Sequence, residues 1–153
     1  MANDAIMKWS ATTTTVIDLT ADLTNNSVAG GTTLLDNSTE LMPYARATFN
    51  NPGTFGAAPT NNSTVNLYAV LQDTDGTSDD TAAPTGSDVE SARFLGAFTI
   101  YDTDEEQRCS IDIDLMGIQK AYFYIENKTG QTITGSASHI YVKITPYTLT
   151  PSA

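Results

Sequence analysis

Arg108-Cys109-Ser110-Ile111-Asp112-Ile113-Asp114-Leu115 decides the fold class. Cys109, Ile111, Ile113 and Leu115 fall on one face of an extended chain, and Arg108, Ser110, Asp112 and Asp114 on the other. That period of two belongs to a strand with one face in a core and one in water. Elsewhere Val65, Leu67, Ala69 and Leu71 alternate with Asn66, Tyr68 and Val70. Across residues 139–146, Ile140, Val142 and Ile144 are opposed by Tyr141, Lys143 and Thr145. Less regular strands are expected at 16–19, 41–49, 94–101 and 121–126, with weaker ones at 6–9, near Leu34 and at Ile133. No window long enough for a helix carries a helical stripe.

Turn chemistry punctuates these runs: Asn50-Asn51-Pro52-Gly53, Asp75-Gly76, Met116-Gly117 and Thr129-Gly130. Gly and Asn supply positive φ at low cost, and Pro presets φ for a turn. About eight short strands so separated predict an all-β chain, a single antiparallel β-sandwich with a jelly roll as its expected form. Residues 16–153 form that domain, and residues 1–15 are an N-terminal arm or a first strand. Residues 50–63 and 73–91 are too polar and too rich in Gly, Pro and Ala for strands, and are expected as exposed excursions.

The chain has 153 residues, enough to bury a core without metals or disulfides. Its single cysteine, Cys109, excludes an intramolecular disulfide and any multi-cysteine zinc site. A net charge of -11 repels phosphate, so no nucleic acid and no anionic membrane surface is expected as a partner. No apolar run resembles a signal peptide or a membrane span, so synthesis in the host cytoplasm is expected. Five N-x-S/T patterns, at Asn25, Asn37, Asn61, Asn62 and Asn127, read as turn chemistry in so Ser/Thr-rich a chain. Twelve of the 18 acidic residues lie between positions 73 and 114 with only Arg93 and Arg108 beside them, a net of -10. One strongly acidic face or end follows.

Each chemistry-bearing group also admits a plainer role. Loop 73–80 has the carboxylates of a calcium loop but not EF-hand spacing, since a glycine placed at Gly76 puts Leu71 first and Ala82 twelfth, so it reads as a solvated hairpin turn, with a weak calcium site of another type as the alternative. Asp102, Asp104, Glu105 and Glu106 read as a solubilising turn, because they crowd almost consecutively into one short exposed turn. Cys109 is on the apolar face of its strand and is expected to be buried and inert. His139 has no Ser or Cys partner in pattern, and no Gly-rich phosphate loop or nucleophile elbow is present. Neither an enzyme nor a metal or organic cofactor is expected. Tyr122 and Tyr124 share one face, either as a displayed aromatic pair or as covered packing. Ile6, Met7 and Trp9 form an apolar cluster before the Thr12 to Thr15 tract, either a docking arm or a first strand.

The order VNLYAVLQDTDGTSDD (65–80), RFLGAFTI (93–100), QRCSIDIDL (107–115) and AYFYIENKTGQTITGSASHIYVKITPYT (121–148) resembles small virion proteins of tailed bacteriophages. LDNSTEL (35–41) is similar to the segment that opens their central strands, and the likeness covers residues 34–148. A longer acidic loop and the Trp9 segment depart from that pattern. The resemblance implies a jelly-roll head protein of the decoration or cement type, a homotrimer at threefold positions on the outer capsid surface, bound to the major capsid protein. Ile6, Met7 and Trp9 are then the expected capsid interface. The alternative is a carbohydrate- or receptor-binding module of a phage head or tail fibre, with Tyr122 and Tyr124 as its platform and calcium at the loop that opens with Asp73.

Overall fold

The computed structural model describes residues 5–72, 82–89, 91–136 and 138–151. Alternation translates into ten strands: β1 (Ala5–Trp9), β2 (Thr14–Leu19), β3 (Val28–Gly30), β4 (Leu35–Asp36), β5 (Tyr44–Asn51), β6 (Ser63–Leu71), β7 (Arg93–Ile100), β8 (Gln107–Asp114), β9 (Lys120–Lys128) and β10 (Ile140–Pro151). They form two antiparallel sheets of five strands, a β-sandwich, with no helix among the described residues. In the first sheet β10 pairs with β5, β5 pairs with β8, and β2 and β1 follow one another along the far edge of β10. In the second, β3 and β4 line one edge of β9, which pairs with β6, and β6 pairs with β7. After β2, every connection except β3–β4 and β6–β7 passes from one sheet to the other.

The inward faces supply the core. Phe49 of β5 meets Phe98 of β7 across the sandwich with ring centroids 5.6 Å apart, and both are fully buried. On β8 the expected face turns inward, with Ile113 and Leu115 buried, but Cys109 and Ile111 are only half-buried because β8 is an edge strand. Gly117 and Gly130 adopt φ of +78° and +79°, as the Met116-Gly117 and Thr129-Gly130 turns require.

Several expectations are corrected. Residues 50–63 are not wholly an excursion: Asn50 and Asn51 complete β5, and Phe55 is drawn into the core, bridging to Ile133. The outward face of β6 is not wet, because Tyr68 and Val70 pack with Tyr124 in a second apolar cluster covered by Val28, Val89 and Ala92. The backbone there is anchored where Val28 N–H donates to the Gly86 carbonyl at 2.8 Å. The strand expected at 139–146 continues to Pro151, since Pro146 lies where the missing N–H costs only one ladder bond.

That extension shapes the termini. β5 accompanies β10 only from Tyr141 to Tyr147, whereas β1 pairs with it from Tyr147 to Pro151. Beyond Tyr147, β1 and the end of β10 are therefore a two-stranded ribbon continuing past the sheet, and every β1 side chain is exposed.

Candidate binding surface at one end of the sandwich

Register fixes which side chains meet on the ribbon. Directly opposed residues of an antiparallel pair share a face, so the pairs Met7↔Leu149 and Trp9↔Tyr147 lie on one side. Tyr147 in turn opposes Tyr44, and Tyr44 opposes Asp114. The outer face of the first sheet thus ends in a row of Trp9, Tyr147 and Tyr44, with centroids 4.9 Å apart for the first pair and 5.6 Å for the second. Tyr147 is buried between its neighbours, and burial pushes its hydroxyl pKa up. Trp9 keeps 40 % of its surface exposed, Met7 40 %, Leu149 48 % and Ile6 53 %. Ile6 opposes Thr150 and so points to the other side of the ribbon, away from Met7 and Trp9.

One residue row inward, Arg46 of β5 forms a two-pronged pair with Asp112 of β8, Nε to Oδ1 at 3.1 Å and Nη2 to Oδ2 at 3.2 Å. Its guanidinium also lies 5.4 Å from the centre of the Trp9 ring. The bond to Asp112 raises the Arg46 pKa further. Trp9 is therefore held in orientation by Tyr147 and Arg46 while its remaining surface faces solvent.

Beside this row, the β4–β5 and β8–β9 connections meet. The buried Asn37 donates from Nδ2 to the carbonyls of Met42 at 2.9 Å and Ile118 at 3.3 Å, and its Oδ1 accepts from Met42 N–H. Leu115 N–H donates to the Pro43 carbonyl. These bonds shape a recess of about 250 Å³ lined by Leu41, Met42, Pro43, Leu115, Met116 and Ile118. Leu41 and Met116 stand at its margin, 60 % and 57 % exposed. Leu41 takes φ +48°, a conformation costly for a side chain of its size, and its N–H donates to the Asn37 carbonyl. Six exposed apolar side chains, Ile6, Met7, Trp9, Leu41, Met116 and Leu149, gather at this end, whereas Tyr101 stands at the opposite end and Phe94 on β7.

Sequence reasoning found Ile6, Met7 and Trp9 and missed the residues that join them. Leu149 followed a proline read as a strand end, and Leu41 carries no pattern that announces exposure. The tyrosine pair divides: Tyr124 is buried in the second cluster and Tyr122 is half-buried at its margin. Tyr124 is covered because Gly30 and Gly31 let the β3 backbone pass over it; a Cβ on Gly31 would sit 2.5 Å from the Tyr124 hydroxyl. The pair is thus not a displayed platform.

Among the described residues, the acidic run is contiguous in sequence but not in space. Asp102, Asp104, Glu105 and Glu106 are exposed in the β7–β8 turn at the end opposite the ribbon, where buried Gln107 donates from Nε2 to the carbonyls of Tyr101 and Thr103. Asp112 and Asp114 lie on the outer face of β8. The calcium-like loop 73–80 lies outside the described residues, and the chain enters it from Gln72, at the apolar end. Of the expected acidic face or end, the described carboxylates thus divide between places, and Asp73, Asp75, Asp79, Asp80 and Glu90 lie outside the described residues. Cys109 donates from Sγ to the Thr99 carbonyl at 3.0 Å, and burial raises its thiol pKa. His139 Nδ1 lies 2.7 Å from Asp18 Oδ1 and stacks on Tyr141. No cluster of three or more His, Cys, Asp or Glu side chains suited to a metal occurs among the described residues, and no described helix is long and apolar enough to cross a membrane.

Glu126, which the sequence did not single out, is the most buried carboxylate of an ion pair among the described residues. Burial disfavours its charge, but Lys128 Nζ at 2.8 Å, Tyr68 hydroxyl at 3.0 Å and Asn66 Nδ2 at 3.3 Å outweigh that and hold its pKa below the usual range. Its acceptor oxygens are engaged, which marks a structural role. No protein-family model and no curated protein matches the sequence.

Proposed function

We propose that this chain is a non-enzymatic structural protein of a tailed-phage virion, a decoration or cement protein that binds the major capsid protein on the outside of the assembled head. The observation that carries the reading is the collection of Met7, Trp9, Leu149, Leu41 and Met116 at one end, exposed around a fixed aromatic row. Exposed apolar side chains so gathered around an oriented tryptophan suit a protein contact. Strand order adds support. Leaving out β1 and β4, the sheets run β2-β10-β5-β8 and β3-β9-β6-β7, the interleaving of two Greek keys, and we assign the sandwich to the jelly-roll class that serves viral capsids and lectins. The ribbon takes the part of the N-terminal arm. A protein bound only to the closed shell stabilises it by mass action, as any state-selective ligand does. Threefold placement would make it a homotrimer on the particle.

Heads assembled without this chain, mixed with the purified protein and sedimented, test the reading. Binding that is saturable and delays heat-induced opening of the shell is expected; absence of binding overturns it. The glycan-binding alternative loses its tyrosine platform with the covering of Tyr124.

A further inference from the structure

We propose that the outer edge of β8 pairs antiparallel with β8 of a second copy of this chain, across a twofold axis at Ile111. The contact goes beyond the capsid reading and stands apart from it, because it uses the β8 flank instead of Met7 and Trp9. β8 runs beside β5 for eight residues without a register shift or a proline, and among the described residues no strand pairs with its other edge. Leu115 N–H donates to the Pro43 carbonyl. With that bond continued along the register, Cys109, Ile111 and Ile113 turn their main-chain groups toward β5, and Arg108, Ser110, Asp112 and Asp114 turn theirs outward. The flank therefore presents a row of donors and acceptors.

Charge complementarity selects both the occupant and the register. Charged side chains normally keep an edge from pairing, but those of β8 are placed symmetrically about Ile111. With Ile111 facing Ile111 of the second copy, Arg108 stands opposite Asp114 twice and Ser110 opposite Asp112 twice. These are the same positions whose main-chain groups face outward, so cross-strand attraction and ladder pairing agree. Asp114 gives Oδ1 to Met116 N–H, which leaves Oδ2 for the arginine, and Asp112 keeps its pair with Arg46. A shift of two residues is the smallest that preserves the ladder. It sets Asp112 against Asp112 in one direction and Asp114 against Glu106 in the other, and like charges directly opposed are destabilising.

The inner face supplies the apolar part. Cys109 and Ile111 pack against the core yet remain half-buried, and in this register Ile111 meets its own copy while each Cys109 meets Ile113. A surface that pairs with itself in this way closes at two copies. One strand pair is a small interface, so a dissociation constant on the order of tens of micromolar is expected.

Sedimentation velocity of the free protein, from about 1 µM to 1 mM so as to bracket that constant, tests the contact without heads. Wild type should pass from monomer to dimer. Arg108→Glu, at an exposed position, should fold as wild type by circular dichroism yet dimerise about ten- to a hundredfold more weakly, since both attractive pairs become repulsive. The exchange Arg108→Glu with Asp114→Arg should return the dimer to within about fivefold of wild type. Should the exchanged protein not fold, a cross-link supplies the same test: Ile111→Cys in a Cys109→Ser background should form a disulfide-linked dimer under mild oxidation, because directly opposed residues that share no ladder bond lie about 4.5 Å apart at Cα. Wild type should not, since its Cys109 faces Ile113. A wild type that stays monomeric, a dimer indifferent to Arg108→Glu, a folded exchange variant that stays monomeric, or an uncross-linked Ile111→Cys variant overturns the contact. So does an assembly of three copies in place of two, which would leave the capsid reading standing. Failure to bind heads would overturn the capsid reading and leave this contact untouched.

Discussion

Trp9 and Tyr147 face each other across the β1–β10 pair with ring centroids 4.9 Å apart, which brings a residue near the start of the chain against one near its end. Arg46, itself bonded to Asp112, lies beside the same indole ring at 5.4 Å. An exposed tryptophan held from two sides loses little side-chain entropy on binding, the property of an interface anchor.

Trp9→Ala is expected to separate binding from folding. Because Trp9 is outside the core, the melting temperature should shift by no more than a few degrees. Affinity for heads should fall by about 2 kcal/mol or more, as at an anchor residue. Phe123→Ala, at a fully buried position, should instead cost about 3–5 kcal/mol of folding stability. Thermal melts and head-binding titrations on both variants distinguish these roles.

The Cys109 thiol should react slowly with thiol reagents in the folded protein and readily after denaturation. Burial raises its pKa, which lowers the thiolate fraction, and Sγ is bonded to the Thr99 carbonyl. Labelling as fast as a free thiol in the native state would mean that the β7–β8 seam opens or that the β8 register is wrong.

Glu126 gives the molecule a pH-dependent term of definite sign. Its folded-state pKa is below the ordinary carboxylate value through Lys128, Tyr68 and Asn66, despite burial. Its stabilisation is therefore present above the unfolded pKa of about 4.3 and lost as pH falls through the folded value. Glu126→Gln should destabilise the protein by about 1–3 kcal/mol at pH 7, because a buried donor loses its acceptor. The difference from wild type should shrink in acid. A difference that grows as pH falls from 5 to 3 would contradict the assignment.

How far the fold could be read from the chain depends on whether one physical requirement governed each segment. Around β8, alternation recorded a single boundary between core and water, and the strand emerged within one residue of its expected limits. On β6 the same alternation was present, but Tyr68 and Val70 are covered by a segment distant in sequence, a tertiary event that periodicity does not encode. Met7 and Trp9 were legible as an apolar cluster, yet their association with Tyr147, Tyr44 and Leu149 arises from strand register over the length of the chain. Phe55 was hidden among Gly, Pro and Asn, whose turn chemistry dominated the local signal.

Converting Asp102, Asp104, Glu105 and Glu106 to Asn or Gln should leave head binding within about threefold of wild type at moderate salt, since these residues stand at the end opposite the ribbon and exposed charges are screened within about 10 Å. Solubility should decline as net charge falls. Binding lost in this variant but kept after deletion of residues 1–10 would reverse the orientation.

The central claim, that this chain clothes a phage head, is tested most directly by counting it in purified virions with quantitative mass spectrometry against the major capsid protein. On the order of hundreds of copies per particle are expected, as repeated threefold sites on a shell require. Tens of copies would place it at a tail or vertex, and its absence from the particle would contradict the claim.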